Sequence, residues 1–285
     1  MLKRTIFFLS ATILLFSSCD YVTNPIQEGG GIDPGDTTTV KRKVLLEDFT
    51  GHYCANCPEA ALVAEQLHNL YGDLLIIVGV HAGPSFFVEP QNNPDGSYAT
   101  DFRTPAGDDY AQFFSITALP KGMVSRREFN GSLTLSEGSW GSAAGEIIGE
   151  DAIIKIEFED VQYDQNNNTV STDISIEALT ELSGEYKCII YLIENDIIDW
   201  QFDNSASPPD VPDYDHQHVL RDNLTPTWGT TVFSGTISEG TVEQVNVNNF
   251  SLDPAWNMDN GHLVAYVYDD NTSEVFQVEE ISVNQ

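Results

Sequence analysis

Residues 47–58 read EDFTGHYCANCP, and the fold turns on what surrounds the two cysteines, Cys54 and Cys57, in this stretch. Just before them, KVLLEDFTG (43–51) carries Val44, Leu45, Leu46 and Phe49, the composition of a short strand. Just after them, Pro58 suits a first helical turn. Leu62, Leu67, Leu70 and Tyr71, with Ala61 and Val63, predict a broad apolar helix face among Glu59, Glu65, Gln66 and Asn69. Gly72 is a stop signal. LLIIVGVHA (74–82) is then a continuous apolar run, the pattern of a strand buried on both faces. Strand, helix and strand in this order predict a βαβ unit with a parallel pair.

A C-x-x-C pair can serve as a redox couple, a metal clip or a fixed staple, and the compartment bears on which. Residues 1–18 read as an export signal: Lys3 and Arg4 precede an apolar run, Ile6 to Phe16, too short for the roughly 20 residues that span a bilayer. The run ends at FSSC, which resembles the lipobox of bacterial lipoproteins; that resemblance implies lipidation of Cys19. Residues 19–42, with three consecutive glycines and two prolines, read as a flexible tether. An envelope location permits oxidation, and Cys54 with Cys57 is the natural couple. Cys188, in the apolar run YKCIIYLI, reads as a buried inert thiol.

Twelve Lys and Arg stand against 44 Asp and Glu, a formal net charge of -32. Phosphate backbones are repelled by such a surface, so nucleic acid is excluded as a partner. An anionic lipid surface repels it too, which leaves the lipid anchor as the membrane contact. The acidity is spread along the chain and reads as a solvated surface. About 265 residues follow the export signal, which at roughly 150 residues per domain suggests two domains.

The pattern changes near residue 151. Residues 43–150 read as α/β, with a Pro- and Gly-rich insertion loop at 83–107, a short helix in DDYAQFFSI and a closing helix in SEGSWGSAAGEIIG. Residues 151–285 hold runs such as IIKIEFEDVQY, TVSTDISIEAL and HLVAYVYDD that alternate apolar and polar residues, predicting an antiparallel β-sandwich. One irregular stretch, Asp199 to Thr227, breaks that series. The predicted fold class is therefore α/β plus all-β.

A C-x-x-C that follows a strand and opens a helix resembles the thioredoxin-like redox arrangement. At the helix N-terminus, unpaired N–H groups and the helix dipole favour a thiolate on Cys54, which attacks a disulfide; Cys57 then resolves the mixed disulfide. Asp48, six residues before Cys54, matches the family's buried proton-transfer acid. Pro120, in ALPKGMV, falls where the family carries a cis-proline beside the substrate. The resemblance covers residues 43–150. Tyr53 stands where thioredoxins have Trp, and Ala55-Asn56 where they have Gly-Pro, which leaves the redox direction open.

The full layout is narrower still. The lipoprotein signal, EDFTGHYCANCP, the β-rich second half and HQHVLRDNL resemble the twenty-eight-kilodalton outer-membrane-protein family of Bacteroidetes lipoproteins. That resemblance implies outer-membrane association. DYVTNP after Cys19 lacks the acidic cluster that resembles a surface-export tag, which points to the periplasmic face.

The resulting reading is thiol–disulfide exchange on envelope proteins, by Cys54, Cys57, Asp48 and Pro120, with no cofactor. The rival is a non-enzymatic outer-membrane binding or adhesion module in which the Cys54–Cys57 disulfide is structural. A third reading is metal handling. His216 and His218, two apart, face one side if they lie in a strand, near Asp213 and Asp215. His52 and His81 flank the cysteine unit and are further donors, but copper-delivery proteins of the Sco type space their cysteines C-x-x-x-C. Arg221 is expected to pair with a carboxylate, and Trp140, Trp200, Trp228 and Trp256 to sit in cores.

Overall fold

The computed structural model describes residues 39–284. The export signal, Cys19 and the tether up to residue 38 lie outside the described residues. The first half supplies β1 (Val44–Thr50), α1 (Cys57–Tyr71), β2 (Leu75–His81), α2 (Ser85–Val88), α3 (Pro105–Phe113), β3 (Lys121–Val124) and α4 (Trp140–Ile147). The second supplies β4 (Ile154–Asp164), β5 (Thr169–Ala178), β6 (Leu182–Glu194), β7 (Ile197–Phe202), β8 (Asp210–His216), β9 (Val219–Asn223), β10 (Thr230–Ile237), β11 (Val242–Ser251), β12 (Gly261–Asp269) and β13 (Val275–Ser282).

β1 and β2 run parallel, from Val44 opposite Leu75 to Thr50 opposite His81, and β3 lies antiparallel on the other edge of β1. The boundary expected at 150/151 does not divide the sheet. One sheet runs β13-β12-β6-β9-β2-β1-β3, with β10 on β6, and so joins strands from both halves. The reason is the second edge of β2. It is buried along its whole length, so its backbone groups need a partner. β9 supplies one: Gly79 pairs with Val219, and the Gly79 N–H donates to the His218 carbonyl at 2.8 Å.

Alternation sorts the side chains of this sheet onto two faces. Leu45 and Phe49, Ile76, Val78 and Val80, Ile189 and Tyr191, and Val264 and Tyr266 share one face with Tyr110 and Phe114 of the α3 region. The opposite face is covered twice. Over β1 and β2, Val44, Leu46 and Ile77 meet Ala60 and Ala64 of α1 and Trp140 of α4. Over β6 and β12, Cys188, Ile190, Leu192, Leu263 and Ala265 meet a separate three-stranded sheet, ordered β11-β5-β4. In β5 every second residue from Val170 to Ala178 is buried, the period of two expected of a half-buried strand.

α1 turns inward only part of the face predicted. Cys57, Ala60 and Ala64 are its buried residues, with Val63, Leu67 and Tyr71 packed beside them. Leu62 and Leu70 are 60% and 69% exposed. Two alanines at i, i+4 let the helix lie close to the sheet, which a leucine row does not. The closing helix is α4, and its Trp140 is fully buried while Trp200, Trp228 and Trp256 are half-buried. The 83–107 loop contains α2 and the start of α3, whose N-cap Thr104 accepts from the Gly107 N–H at 2.9 Å. The irregular stretch 199–227 holds the β7–β8 hairpin, a sheet of its own, and β9.

Candidate functional site: a covered disulfide above a buried carboxyl

After β1 the chain passes beneath α2. A Cβ on Gly51 would come within 2.5 Å of the Phe87 carbonyl oxygen, so no other residue fits there without displacing backbone. The same carbonyl accepts from the Tyr53 N–H at 3.0 Å. Two turns follow, Cys54 N–H to the Gly51 carbonyl at 3.0 Å and Cys57 N–H to the Cys54 carbonyl at 3.2 Å. They bring the Cα atoms of Cys54 and Cys57 to 5.4 Å, and the two sulfurs are bonded. α1 begins at Cys57, behind Asn56 as N-cap. The helix start therefore belongs to Cys57, and Cys54 sits in the turn ahead of it rather than on the helix. Both cysteines are 2% exposed, so neither is the more buried of the two.

The cover is the β7–β8 hairpin. Its Phe202 N–H donates to the His52 carbonyl at 2.8 Å and its Asn204 N–H to the Ala55 carbonyl at 3.0 Å. The Gln201 amide donates to the carbonyls of Gly51 (3.3 Å) and Cys54 (3.2 Å). Tyr53 stacks on Phe202 with ring centroids 5.7 Å apart. From the far side the 83–107 loop braces the hairpin: Tyr98 donates to Asp210 at 2.7 Å and Thr100 donates to Asp199.

Below the pair lies Asp48. Its cross-strand neighbours are Gly79 on β2 and Gly122 on β3, so neither adjoining strand places a side chain beside it. Trp140 fills the space over Gly122. On the Gly79 side a cavity of about 570 Å³ opens between α1 and the hairpin, lined by Asp48 and Cys57 together. Asp48 Oδ1 is buried with no protein hydrogen-bond partner. Burial, with a smaller contribution from Glu137, pushes this carboxyl up to about 7. Its acid–base midpoint therefore falls near neutral pH, in a cavity wall that it shares with Cys57.

Pro120 follows a cis peptide bond from Leu119 and precedes β3. Lys121 stands opposite Phe49, which carries Pro120 to the level of Thr50 at the mouth of the cysteine loop. The histidines part company. His216 is buried at the end of β8 with its Nε2 3.4 Å from the Trp200 carbonyl, and burial lowers its pKa to about 4. His218, at φ 56, turns away and meets Glu65 of α1 at 2.9 Å. β8 ends at His216, so the two do not share a strand, although both border the same cavity. Asp213 and Asp215 remain exposed. Among the described residues no group of three or more His, Cys, Asp or Glu is arranged to hold a metal.

His52 and His81 are both buried; Nε2 of His52 is 3.2 Å from the Glu89 carbonyl, and neither ring nitrogen of His81 has a protein partner. Arg221 pairs with Glu194 at 3.2 Å. Cys188 is fully buried, and desolvation raises its thiol to about 12. The sequence reading missed the hairpin and the cavity. The one local signal for the cavity was Gly79 interrupting the apolar run LLIIVGVHA beside an acidic strand residue.

A family model described as outer membrane protein Omp28 matches residues 107–285. Asp48, Cys54 and Cys57 lie ahead of that match. The solved structure of HBP35 of Porphyromonas gingivalis is 17% identical, with 87% of this chain and 77% of that chain covered at a TM-score of 0.62. Protein AGR_C_4864 from Agrobacterium tumefaciens is 11% identical over 86% of this chain and 96% of its own, at a TM-score of 0.50. A domain of the outer membrane lipoprotein Omp28 from Porphyromonas gingivalis is 19% identical over 47% of this chain and 89% of its own, at a TM-score of 0.29. No curated protein matches. The two higher-scoring structures share the fold at low identity, and the family match spans well over half of the sequence: the chain belongs to the Omp28 family of outer membrane proteins.

Proposed function

We propose that this outer-membrane protein is a lipid-tethered thiol–disulfide exchange protein acting on envelope proteins from the periplasmic face. Cys19 carries the anchor, Cys54 is the nucleophile and Cys57 the resolving thiol. Asp48 moves the proton, and Pro120 supplies backbone support on the substrate side. Asp48 is the observation that carries this reading: a buried carboxyl lacking a partner is costly, and it shares a cavity wall with Cys57. The thioredoxin-like assignment of residues 43–150 draws support from the parallel β1–α1–β2 unit, with β3 antiparallel on the other edge of β1.

The exchange balances as follows. A substrate thiolate attacks Cys54 Sγ, forming a mixed disulfide while the Cys54–Cys57 bond breaks. Cys57 leaves as a thiolate and takes the proton held by Asp48. The second substrate thiolate then displaces Cys54, giving a substrate disulfide and a reduced pair; the reverse sequence reduces a substrate disulfide. The hairpin has to lift for either direction, because both cysteines are 2% exposed beneath it. Cys57→Ser should accumulate mixed disulfides through Cys54 with envelope proteins, resolved on non-reducing gels and absent from the Cys54→Ser/Cys57→Ser double variant. A complete lack of such adducts would sink the proposal.

The second reading, a binding module with a structural staple, is favoured by the hairpin itself, whose backbone bonds to His52 and Ala55 seal the pair. It predicts no adducts and a disulfide that resists reduction.

A further inference from the structure

We infer that the cavity between α1 and the β7–β8 hairpin binds a small organic ammonium ion, a primary amine on an apolar body. Two buried side chains at its base lack protein partners. Asp48 leaves Oδ1 unpaired, and His81 leaves both ring nitrogens unpaired, although each residue is at most 5% exposed. Buried polar atoms are nearly always hydrogen-bonded, so two such groups lining one cavity mark a place where a ligand completes the bonding.

The chemistry of that ligand follows from the charges. Glu59, Glu65, Asp203 and Asp215 join Asp48 in the lining, with Glu65 bonded to His218, and no Lys or Arg does. His81 is held neutral by burial, with His216 adding to the effect, so it presents one acceptor nitrogen and one N–H. An ammonium group donates to the Asp48 carboxylate and to the free nitrogen of His81. Its positive charge also favours the ionised form of Asp48 that burial alone opposes. A carboxylate ligand meets five acidic side chains and no Lys or Arg. On the α1 and β2 side the wall is apolar, from Pro58, Ala61, Leu62 and Ala64 to Ile77, while Gln201, Ser205 and Tyr214 line the hairpin side. A volume of about 570 Å³ lies within the roughly 300–1,000 Å³ of small-molecule sites. Binding involves no redox step at the disulfide, so this inference stands or falls separately from the exchange reading.

The test is calorimetric titration of the full oxidised chain with 2-phenylethylammonium, with 2-phenylethanol as the neutral match and 3-phenylpropionate as the anionic one. The ammonium probe should bind at least about tenfold more tightly than the alcohol, and the carboxylate should not bind, because a charge-assisted bond replaces a neutral one. Asp48→Asn should cost the ammonium probe about tenfold and remove its preference over the alcohol. Leu62→Trp, at an exposed rim position outside the core, should block the mouth and abolish binding while the unfolding midpoint stays put. The inference is overturned if the wild type binds no ammonium probe, or binds it no better than the alcohol or the carboxylate. It is equally overturned if both variants bind like wild type.

Discussion

Glu47 and Asp48 are neighbours on β1, both buried, and they point to opposite faces of one sheet. Glu47 is bonded twice by Arg126, at 2.7 and 2.6 Å, and accepts from Tyr191 at 3.0 Å. Arg126 also donates to Tyr266 at 2.8 Å and lies 5.0 Å from the centroids of Tyr110 and Phe114. The pair is fully buried. To reach it, Ser125 and Arg126 both take positive φ after β3. Asp48 has none of this: one oxygen is unpaired and its pKa rises to about 7. The same strand thus shows two ways of burying an acid. Glu47 is embedded in a cross-sheet network and serves the fold. Asp48 lacks such a network, and in the proposed exchange its use is the proton it holds in a cavity wall shared with Cys57.

Removing Glu47 should produce the largest effect. Glu47→Ala leaves a guanidinium buried without its partner and should cost about 3–5 kcal/mol in urea unfolding. Glu47→Leu with Arg126→Met should recover most of that loss, since a matched apolar pair carries no desolvation cost. A loss under about 1 kcal/mol for Glu47→Ala would erase the contrast.

Asp48 should behave in the opposite sense. The folded protein keeps a proton up to about pH 7 that the unfolded chain releases near 3.8. Protons therefore favour folding in this window, and stability should fall as pH climbs through it, levelling off above about 7. The gap amounts to at most about 4 kcal/mol. Asp48→Asn should flatten that slope and be the more stable protein at pH 8. A wild-type slope that survives the substitution would assign it to other groups.

The cover should yield the smallest change in stability. Gln201→Ala removes the amide bonds to Gly51 and Cys54 and should cost about 1–2 kcal/mol. If the hairpin gates the disulfide, the same variant should be reduced several-fold faster by a phosphine. An unchanged rate would mean that the hairpin does not control access.

The local signals around Cys54 and Cys57 carried far. The strand, helix and strand flanking them, and the alternating strands after residue 151, are patterns of neighbours in sequence, and such patterns report secondary structure directly. The Glu47–Arg126 pair spans 79 residues and the Gln201–Cys54 contact 147, and no periodicity records a contact between segments that distant. β9 is five residues long with three polar ones, so its role in joining the two halves left no run to read. In α1 the apolar residues spread too widely around the helix to pick out one row. The fold buries Ala60 and Ala64 with Val63, Leu67 and Tyr71 beside them, because the helix must lie close to the sheet, and it leaves Leu62 at the rim of the cavity.

The reduction potential of the Cys54–Cys57 pair tests the central claim most directly. It can be measured on the purified chain in glutathione or dithiothreitol buffers, reading the free thiols by alkylation and mass. An exchange couple assisted by Asp48 should lie between about -120 and -270 mV, the range of known exchange catalysts. A value below about -300 mV would contradict it, leaving the disulfide a permanent staple beneath its hairpin.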